Sequence, residues 1–172
     1  MQSFIIRLYN EVQADLGMEE DKMVQQEHVY LLKQGVLYWN QWRQQNPDVI
    51  VDLSNVNLTG LTLINVDFSR VNLTMANLSG AKLSMANLQE ANLTMANLSM
   101  ANLRMANLRF ANMQAANARE ADLRDADLHA VNLKVADLSA ADLRGANLEG
   151  ALFDMTILDH TKGRKGFWKL FS

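Results

Sequence analysis

Catalysis needs titratable or nucleophilic side chains brought together, and this chain offers few. Its three histidines, His28, His129 and His160, are far apart in sequence, and it has no cysteine. A thiolate nucleophile, a disulfide framework and a cysteine-ligated metal site are therefore all excluded. No HExxH, glycine-rich phosphate loop or GxSxG elbow occurs. The nearest approach to a catalytic pair is His129 with Glu149. The nearest pair of acids is Asp122 with Asp142, and arginines adjoin both. These read as solvated surface charges, each pair worth little. A catalytic residue is singular in its chain, whereas the Asn and Asp residues here recur at a fixed interval. The expectation is a protein that is not an enzyme and takes no cofactor or metal.

The interval is five residues. From Leu53 to Leu158 a large apolar residue recurs at every fifth position, 22 in one phase, with Ala118 the one small member. Two residues before each stands a second apolar residue. It is Val or Leu at 51, 56, 61, 66 and 71, then Ala at nearly every step from Ala76 to Ala151. Asn or Asp immediately precedes each centre, except at Thr62, Lys82, Leu152 and Ile157.

A period of five fits neither the helix nor the strand. In a helix, successive centres would precess by ~140° and leave no apolar face. In a long strand, they would fall on opposite faces. The pattern works when each unit forms one side of a square coil, with the centre and the residue two before it pointing inward. Four units close a 20-residue coil, so 22 units give about 5.5 coils stacked at ~4.8 Å. Ala suits the inner flanking position because four leucines already fill the square. Folding the chain by 20 stacks Ser84, Arg104, Arg124 and Arg144 beside Asn102, Asp122 and Asp142. Arg109, His129 and Glu149 line the next side.

These tandem A-(N/D)-L-x-x units resemble the pentapeptide-repeat family. The resemblance covers residues 51–160 and implies a mainly β fold, a right-handed quadrilateral β-helix; the hand comes from the resemblance and not from the period. The segment LLKQGVLYWNQWRQQNPDV, residues 31–49 with WNQWR at its centre, resembles the N-terminal helix of cyanobacterial members and suggests a cyanobacterial source.

Both ends of such a coil expose core and backbone, so caps are expected. Residues 1–50 read as an N-terminal α-helical cap. Ser3 starts a helix with Phe4, Ile5, Leu8, Val12 and Leu16 on one stripe, and Gly17 stops it. A second helix runs from about Lys22 to Gln45, its apolar residues including Val24, Leu31, Leu32, Val36, Tyr38, Trp39 and Trp42, and ends at Asn46-Pro47. Trp39 and Trp42 are read as sealing the coil end. Residues 161–172 form a basic-aromatic tail. Lys162, Arg164, Lys165, Phe167, Trp168, Lys169 and Phe171 either cap the last coil or make a weak contact with an anionic membrane surface.

The exterior carries the clues to function. Residues 51–160 hold twelve acids and eight bases, a net of −4, which is no basic nucleic-acid platform. No stretch approaches the ~18 apolar residues of a membrane span, and the N-terminus lacks a secretory pattern, so the expected location is cytoplasmic. The position two after each centre reads Met75, Met85, Met95, Met100, Met105 and Phe110, an apolar belt where polar residues are expected. The leading reading is a non-catalytic interaction or regulatory module that offers this belt to an unidentified protein partner or to a second copy. The competing reading, from the resemblance, is a DNA mimic acting on an enzyme such as gyrase. That calls for a strongly acidic rod, whereas Arg104, Arg109, Arg119, Arg124 and Arg144 interrupt this one. A third reading is a peripheral membrane role through the tail.

Ala118 departs from the leucine rule and predicts a locally underfilled coil beside Met113. Ala118→Leu should raise the urea midpoint, whereas Leu98→Ala should cost about 2–5 kcal/mol. A midpoint that falls on Ala118→Leu would show that the coil is already full.

Overall fold

The computed structural model describes residues 20–163. The two-before-centre and centre positions alternate along one buried column, with Val71, Leu73, Ala76, Leu78, Ala81 and Leu83 all inaccessible to water. Parallel bridges join each residue before a centre to the residue 20 further on, in unbroken series from Asp52↔Asn72 to Asp142↔Lys162. The period of five and the closure of four are thus both realised. Each side contributes a single bridge rather than an extended strand. Sides one to four are those centred on Leu53, Leu58, Leu63 and Phe68, and every later residue falls on one of them by multiples of 20.

The bridge positions explain the Asn and Asp preference. The Oδ1 of each accepts the N–H two residues on, as from Asn72 to Thr74 at 3.1 Å and from Asp137 to Ser139 at 2.9 Å. This side-chain turn bends the chain out of each side. Thr62, Lys82, Leu152 and Ile157, the exceptions to the rule, carry no carboxylate or carboxamide to do so. A backbone bond then closes each corner, for example Ala76 N–H to Leu73 O at 3.0 Å. Asn side chains also bond coil to coil, as Asn87 to Asp67 and Asn107 to Asn87, at 3.0 and 3.2 Å.

Every fifth residue from 55 to 160 lies at a φ between 53° and 78°, while its predecessor does not. That is type II turn geometry, which favours Gly or Asn at the third position. Asn55, Gly60 and Asn65 comply; Met, Phe, Ala, Glu, Arg and Val occupy most of the later corners. At Gly145 a Cβ would also push aside the Asp125 carboxylate, which lies against that corner.

The cap differs from the single second helix expected over 22–45. Helix α1 spans Glu20–Lys33 and helix α2 spans Val36–Gln45. They part at Gly35, whose φ of 108° no helix can continue through. The N–H groups of Gln34 and Gly35 turn back onto Leu31 and Leu32 at 3.1 and 3.0 Å. The break lets α2 lie across the coil end, with Trp39 fully buried edge-on against Phe68, ring centres 5.7 Å apart. Leu31 and Leu32 are buried, while Val24 is exposed. The expected first helix, with Ser3, Phe4, Ile5, Leu8, Val12, Leu16 and Gly17, lies outside the described residues.

At the other end the coil outlasts its expected boundary at 160. Thr161 is buried with its hydroxyl on the Leu138 carbonyl at 2.9 Å, and Lys162 bridges Asp142. Lys162 therefore belongs to the coil and not to the tail. Arg164, Lys165, Phe167, Trp168, Lys169 and Phe171 lie outside the described residues.

Polar side chains from the cap complete the open edge of the first coil. Trp39 Nε1 donates to Asp67 O, and Asn40 both donates to Asn65 O and accepts from Asp67 N–H, at 2.8–2.9 Å. Arg43 donates to Ser69 O and Gln25 to Ser54 O, both at 2.8 Å. His28 is buried against Trp42, ring centres 5.6 Å apart, with a hydrogen bond to the Asp52 backbone. Burial pushes its pKa below the ordinary value, although that bond and the charges of Glu27 and Asp52 oppose the shift. The unfolded chain therefore takes up this proton first as pH falls. Stability carried by neutral His28 is present above about pH 6.5 and declines as pH drops below it. His28→Gln keeps a donor but cannot be protonated. It should flatten the fall in melting temperature between pH 7 and 5; an unchanged slope would place the effect elsewhere.

Candidate interaction surface

The six belt residues occupy positive-φ corners, which sets their direction. Met75 and Met95 stand on the corner after side one, Met100 on the next, Met85 and Met105 on the third and Phe110 on the fourth. All six are between 49% and 65% exposed. Each side chain therefore leaves about half of its surface facing water. The backbone does not call for them, because Gly or Asn would relieve each turn. Exposed thioethers at strained corners are explained by neither packing nor local conformation.

A girdle on four corners of a square rod cannot meet one flat partner, so the structure divides it. Phe110 is engaged by its own neighbours, edge-on to His129 and beneath the Arg109 guanidinium, both at 5.4 Å. Met85, Met100 and Met105 flank side three, where Lys82 and Arg104 point outward. Arg104 leans toward Asp125 at 3.4 Å, while Lys82 has no ion-pair partner among the described residues. Met75 and Met95 flank side one, where residues 71–80 and 91–100 hold no charge at all.

Sequence alone missed two further members. Val135 and Met155 are exposed on the same corner as Met75 and Met95. Each belongs to a unit of unremarkable sequence, and only the 20-residue register aligns them. The signal lies in that register and not in the spacing of neighbouring methionines.

Toward the C-terminal end the exterior becomes a set of interlocked charges. Arg124 grips both oxygens of Asp122 at 2.7 Å and Arg144 those of Asp142 at 2.6–2.9 Å. These guanidinium bonds hold both carboxyl groups below the usual carboxylate range and raise the pKa of each arginine. Arg109 meets Asp127 at 3.1 Å and Arg119 meets Asp137 at 3.0 Å. His129 lies 3.9 Å from Glu149, at the limit of an ion pair. The acids are thus paired side by side with bases along the rod.

An open cleft of about 610 Å³ lies where residues 47–50 pass side four, lined by Arg43, Asp67, Arg70 and Glu90 among others. Two of its carboxylates, those of Asp67 and Glu90, are already engaged. Asp67 accepts from Ser69 and Asn87, and Glu90 from Arg70 and Gln89. Among the described residues no group of His, Asp and Glu is arranged to hold a metal ion, and no helix is long and apolar enough to cross a membrane.

A family model described as pentapeptide repeats matches eight copies, in overlapping segments 52–89, 72–109, 86–125, 106–145 and 132–162. Among solved structures, the chain is similar to a pentapeptide repeat protein of the Arabidopsis thaliana thylakoid lumen. The two are 36% identical over 59% of this chain and 71% of that one, with a TM-score of 0.56. It is also similar to Rfr23 of the cyanobacterium Cyanothece 51142, 29% identical over 73% of this chain and 94% of that one, TM-score 0.46. HetL, involved in heterocyst differentiation regulation in Nostoc, is 30% identical over 64% of this chain and 62% of its own, TM-score 0.33. No curated relative matches the chain.

Val135 is the one β-branched residue at a left-handed corner, at a φ of 62°. Val135→Asn should relieve the turn and raise stability by about 1 kcal/mol in urea unfolding. A loss would show that the Val methyls carry packing that outweighs the strain.

Proposed function

The chain belongs to the pentapeptide repeat family, and from that premise we propose that it is a non-catalytic module whose right-handed coil offers side three to a protein partner. The observation that carries this reading is the set of half-exposed methionines at positive-φ corners, where a rod without a partner gains from Gly or Asn. Met85, Met100 and Met105 border a strip holding Lys82 and Arg104. Adaptable apolar margins around a cationic strip suit a segment with acidic residues between apolar anchors. The burial is apolar at the margins, and the charges at the centre orient the segment.

The experiment is capture from a native lysate by the full chain and by a Met85→Ser, Met100→Ser, Met105→Ser triple variant. These side chains lie outside the core, so the far-UV circular dichroism and melting temperature should stay unchanged while partner capture is lost. Lys82→Glu should weaken capture further at low salt than at high salt. Equal capture by the triple variant would overturn the assignment.

A further inference from the structure

Charge is distributed unevenly around the rod. The repeats on sides three and four hold most of the charged residues, including Lys82, Glu90, Arg104, Arg109, Asp122 and Arg124. Sides one and two hold none in residues 71–80 and 91–100. The corner between them is the apolar line of Met75, Met95, Ala115, Val135 and Met155, all exposed. At ~4.8 Å per coil this ridge runs for roughly 19 Å. Four of the charges that flank its lower half are paired with each other. Lys134 meets Asp154 at 2.8 Å, and Arg119 meets Asp137 at 3.0 Å.

We infer that this corner is where a second copy of the chain packs, ridge against ridge about a two-fold axis, with Ala115 facing Ala115. Three observations select this occupant. The coil body is net acidic, and a two-fold contact centred on Ala115 sets the charged half of one copy's ridge against the uncharged half, residues 71–80 and 91–100, of the other, so few like charges oppose one another. Depletion of charge together with exposed Met is the composition of an interface core. The third is spacing. A second coil repeats at the same interval as this one, so side chains interleave at every rung. A partner helix, at ~5.4 Å per turn, drifts out of step by roughly 2.4 Å over four rungs. Ala115, the smallest member and the midpoint of the ridge, allows the two rods to approach closely. A two-fold contact of this kind closes on itself and does not propagate into a fibre.

This surface is separate from side three, so its failure leaves the proposed function standing, and the reverse. The test is sedimentation velocity of the full chain from ~5 to ~500 µM, the range that a small interface requires. The wild type should move from monomer to dimer across the range. Met95→Lys and Val135→Lys should each shift that transition at least ~10-fold higher, because a desolvated charge then faces its own copy. Met105→Lys, on another corner, should leave it unchanged. The chain has no cysteine, so Ala115→Cys should give a disulfide-linked dimer under mild oxidation and Gln89→Cys, on side four, should not. A wild type that stays monomeric throughout overturns the inference, as does equal disruption by Met105→Lys. Unchanged circular dichroism for each variant separates loss of association from loss of fold.

Discussion

The structure depends on a turn that recurs every fifth residue and returns the chain to register after four. If the side lengths varied by one residue, each later leucine would leave the interior and each bridge would lose its partner. Two cheap local interactions enforce the interval: an Asn or Asp oxygen holding the N–H two residues on, and the backbone bond across each corner. The corners impose a conformational penalty, because most of their residues are neither Gly nor Asn. The coil holds them there through bonds such as Met75 N–H to Thr94 O at 2.9 Å, repeated on each side. Strain that one isolated turn would release is retained because the turns above and below demand it.

The ends follow from the same constraint. A stacked coil leaves donors and acceptors on its first rung, and the cap answers this unevenly. Side chains of α1 and α2 satisfy the edge on sides one and four and at the Asn65 corner between sides three and four, through Gln25, His28, Trp39, Asn40 and Arg43. On side three, the inner residue Leu61 is left partly exposed. The buried Arg43 Nε and His28 Nδ1 find no partner among the described residues. Both side chains are placed by bonds at their other ends, so the cap achieves its docking without pairing every buried polar atom.

With the interior committed to leucine and alanine, variation is confined to the outward positions, and function must be written there. Charges gather on sides three and four, apolar corners form the belt and the ridge, and sides one and two hold no charge over residues 71–80 and 91–100. A uniform coil thereby carries faces of different chemistry at one radius. The interlocked Arg and Asp residues toward the C-terminus bind to one another, whereas the methionine corners remain about half exposed.

The interior, the period and the coil count were legible in residues 51–160, because identical units repeat the same inward pair and any other conformation would scatter the leucines. The belt of Met75 to Phe110 was legible for the same reason, since its position within the unit is constant. Three things were decided only by the folded chain. Gly35 divides the cap because α2 must cross the coil end, and the helical pattern on either side of it reads as continuous. Thr161 and Lys162 join the last side because the coil above offers them bonds, although the apolar centre of their unit is the glycine at 163. Val135 and Met155 join Met75 and Met95 because 20-residue closure brings together side chains that local sequence holds far apart. Local composition determines what each side is made of, and only the stacking of sides determines which surfaces become continuous.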